Sequence, residues 1–271
     1  GEGRNLGNPR YSCPSFAHLA PGTGPQWSLL MPQRAIIACL VLEEEFKEII
    51  ARTGVDAELV WMPQGLHNDP PLLRKELQKV VTELEAKHPD LQEIILGYGL
   101  CSRGSEEVKA QRCRIIIARA HDCITLLLGS KERYSKYVKQ NPATYWYSVG
   151  WNRHHIPPGP ARVEALRAEY SKRFDPEDVD YLMEEEQHWL KTYDRASFIH
   201  TGVSGAEEAG QETKACADYL GWKYDELKGA PGLMERLLCG PWDEEDFLVL
   251  EPGQSLKMTA DDRVVEASPA P

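Results

Sequence analysis

The chain has 271 residues, 42% of them hydrophobic and 27% charged, and 42 acidic against 31 basic residues give a formal net charge of −11. That length allows one large domain or two small ones with a sizeable core. No stretch approaches the roughly 18 apolar residues of a membrane span, and the acidic excess argues against a protein whose main work is coating a phosphate backbone, so neither a membrane nor nucleic acid is expected as a partner.

Seven cysteines are too few for a disulfide scaffold and more than packing requires. Gly1 to Leu30 shows no apolar run behind a basic start. The expected location is therefore the reducing cytoplasm, where thiols serve as fillers, metal ligands or nucleophiles.

Gly1 to Gln33 is rich in turn formers and has no period, so residues 1–33 are expected to be an extension or flexible arm. Met31 is a candidate native start, and Cys13 carries little functional weight. From Arg34 short apolar runs alternate with amphipathic segments, the pattern of βαβ units. Ala35 to Val41 reads as a strand, Glu43 to Arg52 as a helix stopped by Gly54, and Ala57 to Trp61 as a strand ended by Pro63 and Gly65. Pro70 and Pro71 open a long helix whose Leu73, Leu77, Val80, Val81 and Leu84 share one face, with His88-Pro89 as its stop. Glu93 to Leu96 is a strand running into Gly97-Tyr98-Gly99-Leu100-Cys101. Arg114 to Ala118 is another, running into His121-Asp122-Cys123 and a helix through Leu128.

Asn141 to Pro160, dense in aromatics, Pro and His, is expected to be a loop or cap crossing the sheet edge. Helices follow over Ala161 to Arg173 and Pro176 to Tyr193. A strand at Ser197 to His200, a helix over Glu207 to Leu220 and strands near Trp222 to Leu227 and Phe247 to Leu250 make a second half. Beyond Gly253 the tail reads as a strand or arm that frays at its end. The expected fold is α/β: a Rossmann-like doubly wound parallel sheet over 34–150 with a Cys-rich site. A helical connection and a second, smaller α/β half occupy 151–271.

Ligands of an open parallel sheet bind beyond the carboxyl ends of its strands. Cys39 lies toward the end of the first strand, Cys101 just past the third, and His121-Asp122-Cys123 just past the fourth. Cys39, Cys101 and Cys123, with His121 as a fourth ligand or nearby proton donor, are therefore the candidate metal set. They suit zinc, or a [4Fe–4S] cluster in which three cysteines leave one iron open to substrate. Asp122 is a candidate catalytic group beside His121, or else the cap of the following helix. Gly97 and Gly99 allow the backbone to approach a ligand, and Ser102 and Arg103 can bind an anionic group. The third glycine, Gly104, falls one residue late for a dinucleotide fingerprint. Tyr145 and Trp146 offer a lid over a flat ligand or a cation. Cys113, Cys216 and Cys239 read as packing residues, His154-His155 as solvated, and Glu184-Glu185-Glu186 as a solvated helix face. His200-Thr201-Gly202 is the motif of the second half with site character.

The set Ile37-Ala38-Cys39, Gly97-Tyr98-Gly99-Leu100-Cys101, His121-Asp122-Cys123 with Leu127-Leu128-Gly129-Ser130, and Thr144-Tyr145-Trp146 resembles a family of bacterial and archaeal proteins catalogued only as a domain of unknown function. The resemblance spans about Ile36 to Gly253. It implies a setting in the corrinoid-dependent methyl-transfer systems of anaerobes and methanogens. More narrowly, His121-x-Cys123 with the distant Cys216 is similar to the ligand pattern of zinc methyltransferases that pass a methyl group between a corrinoid and a thiol. Those enzymes are TIM barrels, and eight βα units are not visible here, so only the ligand logic carries over.

The expected function is a cytoplasmic metalloenzyme with a thiolate-bound centre, transferring a methyl or other one-carbon group to or from a small molecule, with a corrinoid protein or methyltransferase as partner. The alternatives are an open-site iron–sulfur lyase or desulfurase, and a non-catalytic accessory that binds a corrinoid or a partner enzyme. The chain lacks the Asp-x-His-x-x-Gly signature of the usual corrinoid carriers.

Overall fold

The computed structural model describes residues 33–269. The arm expected over 1–33 falls outside that range apart from Gln33, as do Cys13 and the last two residues.

The first segment alternates as its sequence pattern requires: β1 (Arg34–Cys39), α1 (Glu43–Thr53), β2 (Glu58–Met62), α2 (Pro70–Lys87), β3 (Glu93–Gly97) and β4 (Arg114–Ala118). Almost every residue of β1, β3 and β4 is buried, as expected for parallel strands covered on both faces. α1 stops at Gly54, which takes a left-handed φ of 71°. Asp69 starts α2 by accepting the Leu72 N–H at 3.1 Å, with Pro70 and Pro71 in the first turn, where no N–H is needed.

Next come α3 (Cys123–Leu128), α4 (Lys131–Gln140), β5 (Thr144–Tyr147), α5 (Val149–His154), α6 (Pro160–Tyr170) and α7 (Pro176–His188). The chain then runs through β6 (Arg195–His200), α8 (Ala206–Leu220), β7 (Lys223–Lys228), α9 (Gly232–Cys239), β8 (Phe247–Leu250) and a hairpin of β9 (Ser255–Met258) and β10 (Val265–Ser268). The architecture is mixed α/β, with a mostly parallel five-stranded sheet in the order β2-β1-β3-β4-β8 and a parallel three-stranded sheet in the order β5-β6-β7. In the larger sheet only β8 runs antiparallel to its neighbour.

Alternating side chains divide the larger sheet between two cores. Ile37, Ile94, Leu96 and Ile117 face Leu73, Leu77, Val81 and Leu84 of α2. Ile36, Ile95 and Ile116 face Phe46 and Ile49 of α1, Leu126 and Leu127 of α3, and Met234 and Leu237 of α9. A third core joins Tyr147, Ala196 and Phe198 of the small sheet to Ala209, Cys216 and Ala217 of α8.

Two expectations are corrected. Asn141 to Pro160 is not a loop or cap: it contains β5, the edge strand of the small sheet, and α5, whose start is capped by Ser148 accepting the Trp151 N–H at 3.1 Å. Its aromatics favour a strand, and its prolines fall before β5 or after α5. Phe247 to Leu250 does not extend the second half but returns to the outer edge of β4, pairing Ile115 with Leu250 and Ile117 with Leu248. The apolar edge of β4 selects this partner, a tertiary effect that local pattern does not carry. Sheet membership thus crosses residue 150 in both directions. Among the described residues no helix is long and apolar enough to cross a membrane.

Gly97 closes β3 where a Cβ would lie 2.5 Å from Ala38 Cβ and 2.6 Å from Phe46 Cε2. Overpacking of this kind costs about 1–3 kcal/mol, so Gly97→Val is expected to lower the unfolding free energy by that amount, read as a lower urea midpoint with an unchanged m-value.

Candidate thiol site and aromatic cavity

From β1 the chain turns to β2 on one side, while β3 leads to β4 on the other. The crevice past the ends of β1 and β3 is therefore the point where the winding reverses, the usual ligand position of such a sheet. Cys39 is the last residue of β1, Cys101 lies four residues past β3, and Cys123 begins α3 just after β4. Their side chains meet around Tyr98, whose ring is 2% exposed and whose hydroxyl, against the Cys39 thiol, has no nitrogen or oxygen partner.

The backbone explains the convergence. Beyond the strands proper the β3–β4 pairing continues, with Leu100 N–H donating to Ala120 O and Cys101 N–H to His121 O, both at 2.8 Å. A Cβ on Gly99 would sit 2.6 Å from Asp122 N and 2.8 Å from Ala120 O, so the approach requires glycine there. The chain then makes a left-handed turn through three consecutive non-glycine residues, Cys101, Ser102 and Arg103, with φ of 48°, 54° and 72°. Each left-handed residue costs about 1–2 kcal/mol. The turn is held by Gly104 N–H to Cys101 O at 2.9 Å, the buried Ser105 hydroxyl to Gly99 O at 3.0 Å, and Arg103 Nε to Glu106 at 2.8 Å. Such over-determined strain is concentrated at functional sites.

Burial pushes all three thiols above the ordinary thiol range. The Asp122 charge and the neighbouring sulfurs add to this at Cys101 and Cys123. Backbone N–H groups oppose it: that of Val41 faces the Cys39 sulfur, and that of Gly99 the Cys101 sulfur. Left alone, the cluster is neutral. A thiophilic cation would reverse the balance by favouring thiolates, and the orphaned Tyr98 hydroxyl would then donate to a sulfur anion. The donor chemistry fits a soft metal. The side chains do not form a ready cage, for among the described residues no group of three or more His, Cys, Asp or Glu is arranged to hold an ion.

Asp122 is the cap of α3. Its Oδ1 accepts the N–H groups of Ile124 and Thr125 at 3.1 and 3.2 Å, and its Oδ2 the Tyr134 hydroxyl at 2.9 Å. Burial raises its proton affinity. His121 is exposed, joined to the cluster through its carbonyl. Ser102 and Arg103 are exposed too, on the outer side of the left-handed turn. Cys113 and Cys216 stand apart. Burial pushes Cys113 up to about 12 beside Glu85, and Cys216 up to about 11 in the small-sheet core, where a Cβ on Gly159 would lie 2.5 Å from its sulfur. Cys216 therefore does not complete the His121-x-Cys123 pattern. His200 pairs with Glu207 at 3.1 Å, and Thr201 donates to the buried Glu45 at 2.7 Å.

Cys123 also lines a cavity of about 570 Å³, within the size range of small-molecule sites. Tyr145 and Trp146 form part of its wall, together with Trp151, Trp189 and Tyr193. Tyr145 is the hub of this wall, with ring centroids 5.3 Å from Tyr193, 5.9 Å from Trp189 and 6.0 Å from Trp151. Gln64, His67, His155 and Arg162 complete the lining and are not apparent from sequence. They come from separate elements with no motif spacing. His155 departs from the solvated reading; its neighbour His154 pairs with Glu43 at 2.9 Å.

The model of a family described as a protein of unknown function (DUF1638) matches residues 61–238, a span that includes Cys101, Cys123 and the aromatic wall but not Cys39. No curated protein and no solved structure matches the chain.

The raised thiols predict a pH profile. A thiol that holds its proton more tightly than the ordinary value of about 8.5 offers less thiolate near neutrality. In chelator-treated protein, iodoacetamide labelling of Cys101 and Cys123, followed by peptide mass spectrometry, is expected to keep rising well above that pH, whereas in the urea-unfolded chain it levels off near it. For the cap, Asp122→Ala is expected to cost about 1 kcal/mol of stability in urea unfolding, and Asp122→Asn less, because an amide oxygen still accepts the N–H groups.

Proposed function

The chain belongs to the DUF1638 family, and on that footing we propose that it is a cytoplasmic metalloenzyme whose centre is held by Cys39, Cys101 and Cys123. The observation that supports this most is the gathering of one buried and two partly buried thiols around the buried Tyr98 hydroxyl at the switch point of a mostly parallel sheet. We read that sheet as Rossmann-like and doubly wound, with the aromatic cavity as the substrate chamber. A bound zinc would act as a Lewis acid, lowering the pKa of a substrate thiol or water.

The chain's own groups divide the work. Cys39, Cys101 and Cys123 supply soft donors, with the exposed His121 as the proposed fourth ligand or nearby proton donor. Tyr98 donates to a thiolate. Asp122, fixed as the cap of α3, is the proposed acid–base carboxyl beside Cys101 and Cys123. Gly97 and Gly99 let β3 end close to the ligand, Tyr145 and Trp146 exclude water, and Ser102 and Arg103 offer an outer anion contact. The reaction proposed is methyl or other one-carbon transfer. The acceptor loses a proton and gains the carbon group, while the donor keeps the bond's electron pair. A corrinoid protein or methyltransferase as the donor partner follows from the family resemblance rather than from the geometry.

Three convergent cysteines also favour a second reading, an open [4Fe–4S] lyase or desulfurase with one iron left for substrate. Metal and sulfide analysis after anaerobic purification separates the two. A colourless protein with stoichiometric zinc supports the first, and a brown protein with iron and sulfide supports the second. Cys39→Ala, Cys101→Ala and Cys123→Ala are each expected to weaken metal retention by about tenfold or more. Full metal content in all three variants would overturn both readings.

A further inference from the structure

The cavity carries a polar corner that the metal centre does not use. His67, His155 and Arg162 stand on its lining while, among the described residues, no aspartate or glutamate does, although acidic residues outnumber basic ones 42 to 31 in the chain. A pocket free of lining carboxylates in so acidic a protein selects for negative charge.

These groups are also poorly satisfied by the protein itself. Arg162 donates one hydrogen bond, Nη2 to Glu186 Oε2 at a long 3.4 Å, and Glu186 is shared with the Tyr170 hydroxyl at 2.9 Å. Among the described residues Glu186 is the carboxylate that pairs with Arg162, and it leaves most guanidinium N–H groups uncommitted. The His155 ring packs 4.7 Å from Trp151, and among the described residues neither of its nitrogens has a hydrogen-bond partner. Burial first, then the positive charges of Arg162 and His67, depress its proton affinity, the signature of an imidazole lacking a negative neighbour. His67 is held through Nδ1, which lies 2.6 Å from the Gln64 carbonyl, leaving Nε2 for a ligand. The surrounding walls are π-faces: Trp151 packs on both imidazoles, and Trp189 lies under the Arg162 guanidinium at 5.9 Å.

We propose that this cavity binds a planar, unsaturated organic anion, its carboxylate or phosphoryl group held by Arg162 and His155 and its plane lying against the tryptophan wall. This names the substrate class of the site described above. It rests on the metal-centre reading only for what is done to the ligand, not for the ligand's binding.

The test is calorimetric titration of the full chain with 2-naphthoate, its uncharged amide 2-naphthamide, 2-naphthyl phosphate and the saturated cyclohexanecarboxylate, before and after dialysis against a chelator. One of the two planar anions is expected to bind about tenfold or more tighter than the amide and than cyclohexanecarboxylate, and the better one identifies the anionic group. Arg162→Gln and His155→Gln are each expected to shrink the anion-over-amide preference to about threefold or less while leaving amide binding unchanged. Arg162→Lys is expected to retain most of it. Equal binding of anions and amide, no binding of any probe, or a preference unchanged in both glutamine variants would overturn the proposal. A preference that vanishes on chelation would overturn it as well, since the anion would then be sitting on the metal. If the cysteine variants keep their full metal while the anion preference survives in Cys123→Ser, the metal centre falls and the anion site stands.

Discussion

The site depends on two backbone segments running closer together than side chains normally permit. Residues 99–101 continue the pairing of β3 with β4 past the ends of both strands, and the absence of a Cβ at Gly99 is what lets Asp122 and Ala120 approach. That contact sets Cys101 beside Cys123, and the left-handed turn that follows turns the chain away before it can cover them. Cys39 needs no such device, because it stands on the neighbouring strand β1. Three sulfurs thus gather around Tyr98 from three strand ends without forming a ready cage, and the cost of the strained turn is carried by a buried serine and an arginine–glutamate pair.

The same contact fixes the electrostatics. Desolvation keeps the thiols protonated while they face only one another and a capped carboxyl. Backbone N–H groups and a phenol hydroxyl lie ready for the opposite charge state. An environment that is costly for a lone anion keeps these thiols protonated near neutrality.

Part of this was legible in the chain itself. Apolar runs located β1, β3 and β4, and the rule that ligands gather at strand ends singled out Cys39, Cys101 and Cys123, whereas Tyr145 and Trp146 read only as a lid on a loop. What escaped was tertiary. The aromatic strand β5 lies among prolines and histidines that read as a loop, β8 is assigned to its sheet only by the bare edge of β4, and Gln64, His67, His155 and Arg162 meet from elements far apart in sequence. His121 and Cys216 matched a ligand spacing, yet the first is exposed and the second packs into another core. Spacing describes which residues can lie on one segment, not which way separate segments face.

The return of β8 to β4 has a bearing on how the molecule assembles. Everything from α3 to α9, including the whole small sheet, is threaded between two neighbouring strands of the larger one. During synthesis the outer edge of β4 therefore stays bare until Phe247 has left the ribosome, and a bare apolar edge invites pairing with another chain. The strand that completes the larger sheet, β8, is its safeguard against misassociation, and truncation shortly before it would yield a nearly complete chain prone to clump.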